Sequence, residues 1–252
     1  VTTEHNTTNR RRNNPVWKPI DKWMYNRYRK IICISDQAEE NLKNYIGNYY
    51  DSITTIYNGV DVAAFYQAKP LENVKPNKFI VVMVAAFRKQ KDQKTLIDAM
   101  SLLPQDEYEL WLVGQGDCFE EVRHYAQSKG MQQRVKFWGN RTDVANVLNT
   151  ADVVCMSSHY EGLSLSNIEG MSSGRPFIAS DVDGLREVTK GYGVLFPHED
   201  AEALAAIIQK LHDDKAYYDE VAEKCHQRAM MFDIEKMVDG YEAVYQELMH
   251  SK

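Results

Sequence analysis

Apolar runs punctuate the chain at regular intervals. From residue 79 onward they fall at 79–84, 108–113, 135–138, 152–156, 176–179 and 193–196, each bounded by Gly, Pro or Asn. Their length and composition predict buried strands. Helical periodicity fills the gaps at 95–103, 118–129, 144–149, 165–173, 184–190 and 201–212, and two further helices, roughly 215–230 and 234–250, close the chain. Strands alternating with helices predict an α/β fold, a doubly wound parallel sheet with helices on both faces. Ahead of this region, Ile31 to Ser35 reads as a buried strand. A helix then runs from Gln37 to about Tyr45 with Ser35 or Asp36 as N-cap. A short strand at 53–56 ends at the turn signal Asn58-Gly59. The shift in composition over 68–78, with Pro70, Asn73, Pro76 and Asn77, marks a linker.

With 252 residues and 44% hydrophobic positions the chain can bury a large core, and disorder is not expected. No apolar stretch approaches the ~20 residues of a membrane-spanning helix. The chain opens at Val1 in what reads as a strand end, with no secretory signal, so the N-terminus is expected to be truncated or processed. Cys33, Cys118, Cys155 and Cys225 are far apart and predict reduced thiols rather than a zinc site or disulfide framework. Charge is uneven. Residues 1–32 carry eight Arg/Lys against two Asp/Glu, with Arg10-Arg11-Arg12 at the centre of a polar segment, while the whole chain is at −6. Trp17, Trp23, Tyr25 and Tyr28 interleave with Lys18, Lys22, Arg27 and Arg29 at helical spacing. A basic, aromatic face of this kind points to an anionic partner, a membrane surface or a phosphate-bearing acceptor. The acidic remainder argues against nucleic acid.

A ligand on a doubly wound sheet belongs outside the carboxyl ends of the strands, which selects the loops at 85–92, 114–117, 139–143 and 157–165. The first of these holds Arg88, Lys89, Lys91 and Lys94, four cations within seven residues at a helix start. Such a cluster can neutralise a departing diphosphate; the blander alternative is a solvated basic turn. In the second loop, Gly114-Gln115-Gly116 would let backbone approach a ligand closely, although a tight strand-to-helix turn needs the same residues. It follows the second strand and has Phe119 where a dinucleotide fingerprint needs glycine, so NAD binding is disfavoured. In the fourth, Glu161 sits beside Gly162 in a turn, and Glu169 lies about one turn into the following helix. The helix start at 163–166 offers free N–H groups to an anion.

The run from Glu161 to Glu169, with Gly174-Arg175-Pro176 and Asp183-Gly184-Leu185-Arg186-Glu187 after it, resembles the E-x7-E signature of retaining glycosyltransferases of the two-Rossmann GT-B architecture, in particular family 4. The resemblance implies an acceptor-side domain ending at residues 1–67, incomplete here, and a linker at 68–78. It implies a nucleotide-sugar (donor) binding Rossmann-like domain at 79–233 and a helix at 234–252 that packs back on the acceptor side. It implies that Glu161 contacts the transferred sugar, Glu169 the ribose hydroxyls, and the amides of Leu163, Ser164 and Leu165 the sugar or diphosphate. Lys91 matches the diphosphate-binding lysine of the family's G-R-x-x-x-Q-K pattern. The arginine position holds Ala86, so Arg88 is the candidate guanidinium. Asn140 or Arg141, after Gly139, is a candidate for the nucleotide base. His5, after Thr2-Thr3-Glu4, matches a histidine that family members point into the cleft.

The function so implied is transfer of a sugar from a UDP- or GDP-sugar to an acceptor hydroxyl with retention, in bacterial surface polysaccharide or glycolipid assembly. It implies a cytoplasmic enzyme, peripheral on the membrane's inner face, with a saccharide or lipid-linked acceptor. Lys91, an adjacent arginine and the helix N-terminus at 163–166 could neutralise the diphosphate, which implies a site needing no metal. A two-carboxylate glycosidase is disfavoured by the helix-terminus setting of the two glutamates. The alternative is a nucleotide-sugar-binding module without turnover. The strand at 31–34 is expected to have an unpaired neighbour, with apolar surface left exposed.

Overall fold

The computed structural model describes residues 1–5, 14–47, 52–72, 74, 77–162 and 164–250. The chain divides into two compact units, one of Val1–Val60 with Phe232–Lys252 and one of Asp61–Met231. Arg10, Arg11, Arg12 and Leu163 lie outside the described residues.

In the larger unit six strands form one parallel sheet: β4 (Phe79–Val84), β5 (Tyr108–Val113), β6 (Val135–Gly139), β7 (Val153–Met156), β8 (Phe177–Ser180) and β9 (Val194–Phe196). Their order is β6-β5-β4-β7-β8-β9. Counted from the first strand of this sheet, that is 3-2-1-4-5-6, the dinucleotide-binding doubly wound order, which reverses between β4 and β7. The central strands β4, β5, β7 and β8 are largely buried on both faces, which is why their sequences read as apolar runs, while the edge strands β6 and β9 are partly exposed. Helices α4 (Gln93–Ser101), α5 (Phe119–Ser128), α6 (Val144–Thr150), α7 (Leu165–Ser172), α8 (Arg186–Thr189), α9 (Ala201–Asp213) and α10 (Lys215–Ala229) cover the sheet. α4 packs on α5 and α9, and α7 packs on α10. Helix α8 is shorter than the predicted 184–190. Gly184 takes a left-handed φ of 82°, and Glu161 N–H bonds Asp183 O, so these residues form a turn held against the β7 loop.

The unit boundary falls at Val60/Asp61, ahead of the 68–78 segment. A short helix that the sequence did not announce, α3 (Val62–Tyr66), is the reason. Asp61 caps it by accepting from Ala64 N–H at 2.8 Å, and the helix packs on α6 and α7. Asn149 Nδ2 donates to Phe65 O at 2.6 Å, and the Tyr66 ring stacks on His226 at 4.0 Å. The stretch after it is also fastened, through Asn146 Nδ2 to Lys69 O and Leu71 N–H to Thr150 Oγ1, both at 2.8 Å.

The smaller unit is built on three parallel strands, β1 (Thr2–Glu4), β2 (Ile31–Cys33) and β3 (Ile53–Thr55), in that order. Among the described residues no unpaired strand stands beside β2: Thr2 and Ile53 both pair with Ile31, one on each side. Nor is its surface exposed. Strand alternation sends Ile31 and Cys33 to one face, where Tyr25 of α1 (Trp17–Tyr25) and Ala38, Leu42 and Ile46 of α2 (Asp36–Ile46) cover them. Ile32 goes to the other face with Ile56, under Val244, Tyr241 and Leu248 of α11 (Ile234–His250). Ser35 caps α2, accepting from Ala38 N–H at 3.1 Å.

Gly59 serves close packing rather than a left-handed turn. A Cβ there would lie 2.6 Å from Ile234 Cα, because Val60 bonds Phe232 O and accepts from Ile234 N–H beside it. All four cysteines are free, and burial pushes the Cys225 thiol up to about 12. No helix among the described residues is long and apolar enough to cross a membrane. Gly59→Ala is expected to cost roughly 1–3 kcal/mol by overpacking, read from urea denaturation; a loss within 0.5 kcal/mol, about that of an ordinary surface change, would contradict this contact.

Candidate functional site

The reversal of strand order places the loops after β4 and β7 side by side. After β4 the chain makes a 3-10 turn at Lys89–Lys91, then passes through Asp92 in the left-handed conformation (φ 47°) into α4. Asp92 caps α4, accepting from Thr95 N–H at 3.3 Å and Thr95 Oγ1 at 2.6 Å. Ser157, just after β7, donates to Asp92 O at 2.8 Å, and His159 N–H donates to Gln90 O at 2.8 Å. These bonds lock the two loops together.

In that setting Lys91 Nζ donates to Glu161 Oε1 at 2.5 Å, with side chains 15% and 6% exposed. The same oxygen accepts from Ser158 Oγ at 2.6 Å, and Gln90 Nε2 reaches Glu161 Oε2 at 3.4 Å and Tyr160 O at 2.7 Å. Ser158 O accepts in turn from the buried Ser180 hydroxyl at 2.5 Å. Glu161 is therefore a nearly buried carboxylate fixed by a cation and two neutral donors. Ser158 was not singled out from sequence, and Gln90 and Gly184 entered only as positions of the matched family patterns. A serine before an acidic turn carries no periodic or spacing signal, and the close packing at Gly184 shows only in three dimensions, where a Cβ would overlap the Glu161 carbonyl.

Ser164 is the N-cap of α7 but makes no side-chain bond to the helix, so its first turn keeps anion-binding amides. Gly162 is exposed with nothing within 4 Å of a Cβ there, and Leu165 is exposed at the helix start. Glu169, one turn on, is half-buried and has no hydrogen-bond or ion-pair partner among the described residues. Burial pushes its carboxyl above the ordinary glutamate range.

Other predicted residues lie apart from this pair or are committed elsewhere. Arg88 is exposed and lines a cavity of about 320 Å³ with Lys89, Lys94, Cys118 and His159. Gly114 does not bring backbone to an open face. With φ 139° it packs on the β4 loop, where a Cβ would overlap Ala85 O, and Gly116 meets Phe87 in the same way. Asn140 is exposed. Arg141 is engaged with Asp143 through two bonds of 2.8 and 2.5 Å and stacks on Trp138 at 5.2 Å. It faces a separate cavity of about 610 Å³ that residues 69–72 and Asn146 also line. His5 is exposed at the carboxyl end of β1, in the smaller unit.

A 3-2-1-4-5-6 sheet with its polar cluster at the switch point defines a nucleotide-binding type of α/β unit. The chain belongs to the glycosyl transferases group 1 family, which matches residues 67–230; residues 1–64 match Glycosyltransferase Family 4. It is 28% identical to the putative glycosyltransferase EpsD of Bacillus subtilis over 246 residues, covering 90% of this chain and 64% of that protein. It is 25% identical to UDP-Gal:alpha-D-GlcNAc-diphosphoundecaprenol alpha-1,3-galactosyltransferase of Escherichia coli, covering 88% of this chain and 61% of that one. The chain thus spans less than two thirds of these curated relatives. Among solved structures, Anabaena Alr3699/HepE in complex with UDP superposes with a TM-score of 0.83 at 22% identity, over 97% of this chain and 71% of that one. Sucrose-phosphate synthase from Thermosynechococcus elongatus gives 0.80 at 24%, over 99% and 68%. These likenesses establish the Rossmann-like α/β fold.

Two outcomes follow from the geometry. Lys91→Met leaves a nearly buried carboxylate without its cation and should cost roughly 1–3 kcal/mol in denaturant melts. Glu161→Gln in the same chain should recover part of that loss, and strictly additive effects would contradict a coupled pair. Glu169 has a raised carboxyl pKa, so the folded state holds its proton more tightly than the unfolded one. Its charged form therefore lowers stability above the folded pKa, and that penalty fades as pH falls toward the ordinary glutamate value. Glu169→Gln should accordingly melt higher than the parent at pH 7 to 8 and lose that advantage near pH 4; an advantage independent of pH would contradict the assignment.

Proposed function

We propose that this chain carries the donor site of a retaining glycosyltransferase that moves a sugar from a UDP- or GDP-sugar to an acceptor hydroxyl. The observation that carries the reading is the Lys91–Glu161 pair at the sheet's switch point, one residue ahead of Gly162 and close in sequence to the open N-terminus of α7. An ammonium has three donors, so Lys91 can hold Glu161 and still present N–H groups to a diphosphate. The amides of Ser164 and Leu165 would add partial positive charge for the same group. Glu161 would accept from hydroxyls of the transferred sugar, and the unpartnered Glu169 from the ribose. Arg88 would reach the diphosphate from the neighbouring cavity.

In this reading the transition state is oxocarbenium-like. The bond from the anomeric carbon to the diphosphate breaks as the acceptor oxygen bonds on the same face, and the acceptor proton passes to a leaving-group oxygen. Chain residues contribute position and electrostatics, without a metal. His5 would belong to the acceptor side.

The acceptor class we favour is a saccharide or a lipid-linked diphosphate, as in the substrate named for the Escherichia coli relative, within surface polysaccharide or glycolipid assembly. HepE was solved with UDP and with UDP-glucose, which supports UDP as the first nucleotide to test. Helix α1 supports peripheral contact with an anionic membrane from the cytoplasmic side: Val16 and Trp23 are 66% and 62% exposed, and Arg27 stacks on Trp23 at 4.8 Å. Ala86 at the arginine position favours a second reading, a nucleotide-sugar-binding module without turnover.

Thermal-shift titration with UDP, GDP, ADP and their sugar conjugates tests the site. Ligand at about 100 times its Kd should add roughly 2.7 kcal/mol of stability. A shift for one base, lost in Glu169→Ala, is expected; no shift with any nucleotide from a cooperatively melting protein would sink the reading. Acceptor-dependent release of free nucleotide separates transfer from binding alone.

A further inference from the structure

Beside the β7 loop, and using none of the residues assigned to the donor, three side chains from two loops converge. His159 Nδ1 lies 2.7 Å from His198 Nε2 and 3.5 Å from Glu199 Oε1, and one ligand atom from each of the three residues falls within 4.8 Å of the others. Asp92 Oδ2 stands 3.9 Å from the same His159 nitrogen. His198 and Glu199 follow β9, and Glu199 holds a left-handed φ of 62°, a conformation uncommon for a residue with a side chain. The His159 backbone is fixed by its bond to Gln90 O, so one imidazole is anchored while the other two groups are exposed and free to adjust.

The geometry points to a binding site for a divalent first-row transition ion of the zinc type, held by His159 Nδ1, His198 Nε2 and the Glu199 carboxylate. Two imidazoles and one carboxylate make an N2O donor set that suits Zn²⁺ and disfavours Mg²⁺ and Ca²⁺, which take oxygen ligands. Bonds of about 2.0–2.1 Å at a tetrahedral angle need the two ring nitrogens about 3.3 Å apart, a small opening of the present contact that exposed His198 can supply. Glu199 and nearby Asp92 bring two negative charges to match the ion's two positive ones. The fourth position is open to water or to Asp92. Such an ion ties the β9 loop to the β7 loop two residues before Glu161, and so braces the donor loop from outside. The proposal does not depend on which nucleotide, if any, the chain binds.

Isothermal titration of the full chain with ZnCl2 tests it, with MgCl2 as the comparison ion and the same titration on His198→Ala and Glu199→Gln. One saturable Zn²⁺ per chain is expected, with no response to Mg²⁺. Affinity should fall at least about tenfold in His198→Ala and measurably in Glu199→Gln, while both variants melt cooperatively without metal. Absence of a saturable one-to-one phase in the parent would overturn the assignment. So would undiminished Zn²⁺ affinity in His198→Ala, which would place the ion on Cys118 or another histidine.

Discussion

Lys91 meets Glu161 only because β4 and β7 are neighbours, and they are neighbours only because the strand order reverses there. A nearly buried lysine–glutamate pair is a demanding arrangement, since both charges lose water and must be fully bonded to be tolerated. The surrounding structure answers that demand with local devices. Asp92 adopts a left-handed conformation so that the chain can leave the 3-10 turn and enter α4. Ser158, itself bonded to Ser180, supplies a second donor to Glu161, and Gln90 a third. Gly184 removes a side chain where the β8 loop presses on the Glu161 carbonyl. None of these residues needs to touch a ligand to matter.

Glu169 shows the opposite economy. It is half-buried, its charge is disfavoured by that burial, and no described side chain offsets it. A group kept at a cost to stability, one helical turn from open amides, fits a role in recognition better than one in packing.

Much of the fold was legible because buried parallel strands write themselves as apolar runs. Those at 79–84 and 108–113 were delimited to the residue, the other four of that sheet moved by one, and the strand read as 31–35 ended two residues early. The helix start between Glu161 and Glu169 was legible because turn residues lead directly into a helical period there. Elsewhere one signal served two purposes. Gly114-Gln115-Gly116 looked like a loop open to ligand, yet it packs against the β4 loop, a contact between loops that no single stretch of sequence reveals. Arg141 looked free for a base and is taken by Asp143 two residues on. Strand β2 looked exposed because its β1 partner is three residues long, and the covering face of α11 lies some two hundred residues away. Helix α3, at five residues, was too short to show a period and was betrayed only by its Asp61 cap.

In the proposed function a nucleoside diphosphate lies at the carboxyl ends of β4 and β7, with its phosphates against Lys91 and the first turn of α7. A crystal structure of the chain with UDP tests this most directly. Diphosphate oxygens are expected within hydrogen-bonding distance of Lys91 Nζ and of the Ser164 or Leu165 amides, with the ribose toward Glu169. Diphosphate density in the cavity between Arg141 and residues 69–72, with the Lys91–Glu161 region empty, would contradict it.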